Sequence, residues 1–217
     1  MTQYFLKNIQ KGIFIWIIFQ IFSCNIHQKI NKTPDFTQNQ TKLILEKDCL
    51  SPMRIWLITN KSDSLLLRKK SQYVDLSKDR TVLKHFVKRL YKTVTDPNSL
   101  GVGIAAPQVG ILKNIIWVQR LDKPDMPFEV YINPVIKQYS KQKRPCPEGC
   151  LSIPNYRAKT LDRAYTILIE YDKIDGSHHI EMVEDFTSVI FQHEIDHLNG
   201  ILFIDHLQEE MDDAREK

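Results

Sequence analysis

The most informative segment of this chain is Gln192-His193-Glu194-Ile195-Asp196-His197-Leu198-Asn199-Gly200. Its two histidines are four residues apart, so on a helix both imidazole rings lie on one face, with a glutamate beside the first of them. Two histidines and a neighbouring carboxylate are the smallest set of groups that holds a metal ion able to activate water. The segment therefore predicts a metal-binding helix.

The helix face that carries the histidines is also apolar, because Phe186, Val189 and Ile190 recur on it at helical spacing. The histidines are therefore expected to point into the interior of the protein. Gly200, just beyond the last histidine, is a typical helix stop.

Two histidines leave a zinc-like or iron-like site one protein ligand short. In the metzincin protease pattern the third ligand is a histidine six residues after the second, and a glycine precedes it. Gly200 stands at the glycine position, but Phe203 occupies the histidine position and His206 lies three residues too far along. A protease of that kind is disfavoured.

A better candidate for the third ligand is Cys150 in Pro147-Glu148-Gly149-Cys150-Leu151-Ser152-Ile153-Pro154. A thiolate there could bind a soft divalent ion. Taken alone, a cysteine in this setting is more often a small buried apolar residue than a ligand.

A third segment, Gly101-Val102-Gly103-Ile104-Ala105-Ala106-Pro107-Gln108-Val109-Gly110, places small residues around one polar side chain. Such a segment suits the close approach of a ligand backbone, and its alternative interpretation is a tight turn that enters a strand. It is no phosphate loop, because the lysine and hydroxyl of a Walker sequence and the GxGxxG spacing are missing.

Together, the three segments resemble the peptide deformylase family, whose motifs GxGxAAxQ, EGCLS and QHExDH follow one another in that order along the chain. Every motif position is matched, and the resemblance spans residues 67–207. It implies a metal held by Cys150, His193 and His197, with Glu194 as the catalytic carboxylate. It also implies Fe(II), whereas Zn(II), Ni(II) and Co(II) remain open on ligand chemistry.

The resemblance also implies a reaction, which is removal of the formyl group from N-formyl-methionyl peptides or nascent chains with release of formate. Glu194 would move the proton. The side-chain amide of Gln108 and the backbone N–H of Leu151 would meet the charge on the carbonyl oxygen. The rival class is an exported binding protein that captures formyl-peptides or metal on the same fold without turnover.

Eight residues are predicted to bind the substrate, namely Gly101, Val102, Gly103, Glu148, Arg157, Phe186, Val189 and Ile190. The first three can pair their backbone with an extended peptide. The last three would line a pocket for the formylated methionine, with ordinary core packing as the alternative. Arg157 resembles a family position near the peptide path, but it fits a solvated surface arginine equally well.

The remaining pattern predicts an α+β fold, with mixed or antiparallel sheets packed around the central HExxH helix. Apolar residues at helical spacing predict a helix over residues 77–95. β-Branched and aromatic residues predict strands at residues 115–119, 129–136 and 167–172. From residue 208 the chain is charged and is expected to be a surface helix or a fraying tail.

The N-terminus departs from a plain cytosolic enzyme. Lys7 and Lys11 precede a short apolar stretch, and Ile21-Phe22-Ser23-Cys24 resembles a lipobox. We therefore expect a signal peptide at residues 1–23, a polar tether at 24–49 and a catalytic domain at 50–217. Membrane anchoring outside the cytoplasm through lipidated Cys24 is favoured, and a cytoplasmic enzyme is the alternative.

Charge adds little about partners. The formal net charge is +4, and no basic stripe with interleaved aromatic residues indicates nucleic-acid binding. A monomer is expected. Cys49 and Cys146 could form a disulfide or stay free.

Overall fold

The computed structural model describes residues 34–215 of the 217-residue chain. The predicted signal peptide and Cys24 lie outside the described residues. Within residues 34–215, no helix has both the length and the apolar character needed to cross a membrane.

Helices and strands alternate in blocks along the described part of the chain. The helices are α1 (Gln38–Leu45), α2 (Lys61–Leu67), α3 (Arg80–Val94), α4 (Asp185–Leu198) and α5 (Phe203–Arg215). The strands are β1 (Gly103–Ala105), β2 (Ile115–Gln119), β3 (Phe128–Tyr139), β4 (Cys146–Cys150), β5 (Ile153–Thr160), β6 (Thr166–Asp172) and β7 (His178–Glu184). A 3₁₀ turn, Ala106–Val109, follows β1 directly.

All the pairs between named strands are antiparallel. One sheet has the order β1-β2-β3-β6-β7, and β4 and β5 form a separate two-stranded sheet. In the larger sheet β1 and β7 are the edge strands. The predicted α+β class is confirmed.

Successive residues of the larger sheet enter two different cores, as the alternation of side chains along a strand requires. Ile104 and Ile115 belong to the cluster that includes the apolar face of α3. Ala105 and Ile116 belong to the cluster that includes the apolar side chains of α4. This part of the sheet therefore lies between α3 and α4, with the HExxH helix buried as predicted.

The predicted elements are present with small shifts at their ends. The strand at residues 115–119 is β2, and the other two predicted strands are β3 and β6, each longer than expected. The predicted helix at 77–95 begins three residues late, at Arg80, because Ser77 instead forms a turn in which its N–H and hydroxyl bond to the Asp75 carboxylate. The charged C-terminal segment belongs to α5.

Residues 34–49, which were predicted to belong to a polar tether, are part of the fold, and this corrects the domain boundary. α1 begins with a capping box in which Thr37 and Gln40 exchange side-chain and backbone hydrogen bonds. Phe36 and Ile44 are 1% and 0% exposed in the main core. The compact unit therefore begins at Pro34.

Two buried cations from elsewhere in the fold hold this segment. The Nζ atom of Lys113 lies 2.8 Å from Oδ1 of Asp35. The guanidinium of Arg89 donates to the carbonyl oxygens of Leu43 and Ile44 at 2.9 and 3.0 Å. The polar composition of the segment concealed these contacts, because their partners lie tens of residues away in the sequence.

Candidate active site

α4 is fixed in place by its own polar side chains. The Ser188 hydroxyl donates to the carbonyl of Ala164 at 2.6 Å, and the Gln192 side chain accepts from the Ala164 N–H at 2.9 Å. Beyond the helix, Gly200 has a φ of +76°, and a Cβ there would lie 2.4 Å from the carbonyl oxygen of Arg68. Only glycine fits this exit from the helix.

The three predicted metal ligands come together. Cys150 ends β4, while His193 and His197 lie one turn apart on α4, and their ligand atoms all lie within 4.8 Å of one another. The Sγ atom of Cys150 is 3.1 Å from Nε2 of His197. One thiolate and two imidazoles at this spacing suit a tetrahedral divalent ion with its fourth position open.

Glu148, predicted to bind the substrate, contacts one of the predicted metal ligands. Its Oε2 atom lies 2.8 Å from Nδ1 of His193, which leaves Nε2 of that ring facing the other two ligand groups. The Arg163 side chain donates to the same carboxylate from Nε and Nη2 at 2.8 and 3.0 Å. Since Glu148 is only 5% exposed, its carboxylate is committed to these partners. Carboxylate–imidazole contacts of this kind orient metal-bound histidines.

Arg163, which no sequence motif singled out, lies at the centre of this network. Its Nη1 atom donates to Oδ2 of Asp196 at 2.6 Å, and the same carboxylate oxygen lies 2.9 Å from Nε2 of His206. The other ring nitrogen of His206 faces Asp162 at 3.0 Å. His206 is therefore an ion-pair partner, in agreement with its rejection as a metal ligand.

Phe203, at the position of the third metzincin ligand, packs against the site. Its ring is stacked on that of His193 with 5.9 Å between centroids and 26° between planes. The Phe203 ring is also stacked on the ring of Tyr156, with 5.9 Å between centroids and 28° between planes. Phe203, which stands where a metzincin has its third histidine, thus packs against the ring of a predicted metal ligand.

Gln108 points its carboxamide into the site. Its Nε2 atom is 3.6 Å from Sγ of Cys150 and 3.3 Å from the hydroxyl of Ser152, and its Oε1 atom accepts from the Ala105 N–H at 2.8 Å. With the oxygen occupied by its own loop, the N–H₂ group is directed toward the ligands. Leu151 directly follows Cys150, so its backbone nitrogen is bonded to the carbonyl carbon of that residue.

Glu194 faces β1 from the helix. A Cβ added to Gly103 would lie 2.5 Å from Oε1 of Glu194 and 2.8 Å from Cγ2 of Ile190, so the strand backbone passes directly over both side chains. The carboxylate is buried, and its Oε2 atom has no hydrogen-bond partner among the described residues. Such an atom is available to a water molecule or a substrate.

The remaining predicted substrate residues divide into exposed and buried groups. Val102 is 36% exposed beside β1, and Arg157 is exposed across from Gly149 in the β4–β5 pair. Val189 is buried, and Phe186 packs against the core between α4 and the sheet. Ile190 belongs to that core cluster and also lies against the β1 backbone at Gly103.

Burial and charge act in opposite directions on the ionisable groups. Burial raises the pKa of Glu194 to about 7, against the charge of the neighbouring imidazole rings. Burial also opposes ionisation of Cys150, but the charge of His197 and the hydrogen bond from His193 outweigh it, and the pKa of the thiol lies well below its usual range. By contrast, burial raises the pKa of Cys146, which is free, as is Cys49.

A thiolate, two imidazoles and a buried carboxylate around one open position define a metal-dependent hydrolase. A family model described as polypeptide deformylase matches residues 55–213. The chain belongs to that family, which confirms the resemblance seen in its motifs.

Relatives and solved structures agree with this assignment. Peptide deformylase 1 of Clostridium perfringens is 41% identical over 145 residues, which make up 67% of this chain and 93% of that protein. The Met-Ala-Ser-bound class I type b peptide deformylase from Acinetobacter baumannii matches at 31% identity with a TM-score of 0.62, covering 71% of this chain and 98% of that chain. The peptide deformylase from Thermotoga maritima gives the same identity and TM-score over 71% and 96%.

Proposed function

We propose that the chain removes the formyl group from N-formyl-methionyl peptides, with Cys150, His193 and His197 as its metal ligands and Glu194 as the proton carrier. The family and its relatives make the chain an enzyme of the peptide deformylase type. The main support for these residue roles is the state of Glu194. Its carboxylate is buried beside the proposed ligands, and its Oε2 atom has no hydrogen-bond partner among the described residues.

The donor set fits a divalent ion. The imidazole of His193 is held by Glu148 at Nδ1, so its Nε2 atom can meet the Cys150 thiolate and Nε2 of His197 around one centre. An ion bound there supplies Lewis-acid chemistry, since it lowers the pKa of water and polarises a carbonyl. We propose Fe(II) as the native metal, on the strength of the family resemblance, although Zn(II), Ni(II) and Co(II) share the ligand preference.

The protein groups divide the rest of the chemistry between them. Glu194 takes a proton from the attacking water and delivers it to the leaving amine, so the products are formate and a free N-terminus. The Gln108 carboxamide and the Leu151 N–H donate to the oxygen of the formyl group as negative charge develops on it. Both donors belong to loops next to Cys150, which keeps them near the same carbonyl.

β1 is the proposed docking strand for the substrate. It is an edge of the larger sheet, paired on one side with β2, so an extended peptide can add to its other side. Backbone pairing reads little of the peptide sequence, which suits many nascent chains. The Met-Ala-Ser ligand of the Acinetobacter relative makes formyl-Met-Ala-Ser the appropriate test peptide.

Formate release from formyl-Met-Ala-Ser tests this proposal with protein loaded separately with Fe(II), Ni(II), Co(II) or Zn(II). We expect turnover with at least one of these ions and none after chelation. If none of the loaded forms released formate, the chain would be a binding protein on this fold and the proposal would fail.

We further propose that Cys24 is lipidated and anchors a monomeric enzyme outside the cytoplasm. The support is sequence alone, namely Lys7 and Lys11 before a short apolar stretch and the lipobox-like residues 21–24. Expression with globomycin should cause the unprocessed form to accumulate, and Cys24→Ser should not be lipidated. Absence of a lipid-modified form in untreated cells would remove this part of the proposal.

A further inference from the structure

Residues 54–58 connect the two loops that surround the thiolate ligand. The N–H of Trp56 donates to the carbonyl of Gln108 at 2.7 Å, and the N–H of Ile58 donates to the carbonyl of Ser152 at 3.0 Å. The two donors are two residues apart in sequence, so one short segment spans the distance between both loops. We name residues 54–58 the bridging segment.

The Trp56 side chain adds a second contact to the Gln108 loop. Gly110 ends the 3₁₀ turn with a φ of +83°, and a Cβ there would lie 2.4 Å from Cζ2 of Trp56. The indole therefore packs directly on the glycine backbone. Trp56 therefore contacts the C-terminal part of this turn twice, with its backbone at Gln108 and with its ring at Gly110.

Trp56 is in turn held from its own side. The Arg54 guanidinium lies 5.1 Å from the indole centroid and forms a two-point ion pair with Asp63, at 2.7 and 3.1 Å. Asp63 is 2% exposed and also accepts the N–H of Leu57 at 3.1 Å. The bridging segment is therefore anchored to α2 as well as to the two loops.

We propose that Trp56 is a positioning residue for the reaction, because the bridging segment sets the placement of the Gln108 carboxamide relative to Cys150. The carboxamide lies 3.6 Å from the thiolate sulfur and is attached to the turn that Trp56 supports. A donor that serves the transition state must be placed to within a fraction of an ångström. This inference rests on the proposed role of Gln108.

The first test compares Trp56→Ala with Trp56→Phe in the metal-loaded full chain. Displacement of a donor used only in the transition state lowers kcat and leaves KM almost unchanged. We expect Trp56→Ala to lower kcat about tenfold with KM within about twofold, and Trp56→Phe to restore most of the rate. The control is Tyr91→Ala, which removes another half-buried aromatic ring, one that packs on Trp117 and Phe128. It should lower thermal stability without lowering kcat.

The decisive test is a double-mutant cycle. If Trp56 acts through Gln108, Trp56→Ala should have no further effect on kcat in a Gln108→Ala background. Equal reductions in both backgrounds would overturn the inference while leaving the function intact. If Gln108→Ala alone left kcat unchanged, the proposed role of Gln108 would fail, and the inference with it. Metal content and circular dichroism of each variant separate these outcomes from loss of the site or of the fold.

Discussion

The carboxylate of Glu148 lies 2.8 Å from Nδ1 of His193, so the glutamate of the EGCLS segment contacts a predicted metal ligand. Burial opposes ionisation of Glu148. The hydrogen bonds from His193 and from the buried guanidinium of Arg163 outweigh this effect and hold the pKa of the Glu148 carboxyl far below its usual range. An ionised Glu148 can orient the imidazole and increase its basicity.

Replacing Glu148 should therefore weaken metal binding more than substrate binding. For Glu148→Gln we expect metal affinity to fall about 10- to 100-fold, as measured by competition with a chelator, and activity to return partly at excess metal. The matched control is Glu170→Gln, since Glu170 pairs with the exposed Lys137 on the sheet. A raised KM at unchanged metal affinity would restore the substrate-binding assignment.

Gly103→Ala should disable the site without unfolding the protein. The new Cβ would lie 2.5 Å from Oε1 of Glu194, so the carboxylate must move from its position. We expect kcat/KM to fall about 100-fold in steady-state formate assays. Gly176→Ala is the control, because its Cβ would meet nothing within 4 Å and its φ of +95° costs stability only. Equal activity of the two variants would contradict the close contact at Gly103.

His206 should make the free energy of unfolding fall at alkaline pH. Hydrogen bonds that its ring donates to the carboxylates of Asp162 and Asp196 raise its pKa to about 9, against the effects of burial and of Arg163. The pKa of His206 in the folded protein lies above its unfolded value of about 6.5. The stabilisation is therefore complete below the unfolded pKa and is lost as the pH rises through 9. Relative to His206→Gln, the wild type should lose on the order of 2 kcal/mol between pH 6 and pH 10 in urea unfolding. Parallel pH profiles would contradict this role.

Arg89→Met should show that residues 34–49 stabilise the folded enzyme. The guanidinium donates to four backbone carbonyls, those of Leu43, Ile44, Ser51 and Pro52. Leaving them unpaired should cost about 3 kcal/mol in the free energy of unfolding, while kcat of the folded protein stays unchanged. The neighbouring exposed Lys88→Met should cost less than about 0.5 kcal/mol. Equal unfolding curves for Arg89→Met and the wild type would contradict this anchoring role of Arg89.

The sequence predicted those parts of the molecule that depend on local pattern. α4 and most of α3 follow from the helical spacing of their apolar residues, and β2, β3 and β6 follow from their β-branched and aromatic content. The three predicted ligands follow from motif resemblance. α1 was missed because its two buried side chains, Phe36 and Ile44, stand in a polar stretch, and its main anchors, Arg89 and Lys113, are distant in sequence.

The site was predicted least well where a role depends on a partner. Glu148 was assigned to the substrate because the pattern does not show that Arg163 and His193 surround its carboxylate. Asp196 stands within the quoted segment, yet one sequence cannot reveal its contacts with Arg163, which lies between β5 and β6, and with His206 on α5.

The proposed mechanism is tested most directly by measuring formate release from formyl-Met-Ala-Ser by Glu194→Gln and by the wild type at equal metal content. Glutamine keeps the shape of the side chain but cannot carry the proton. We expect a kcat lower by about 10²- to 10⁴-fold with one metal ion still bound per chain. Release at the wild-type rate would contradict the role of Glu194 and the mechanism built on it.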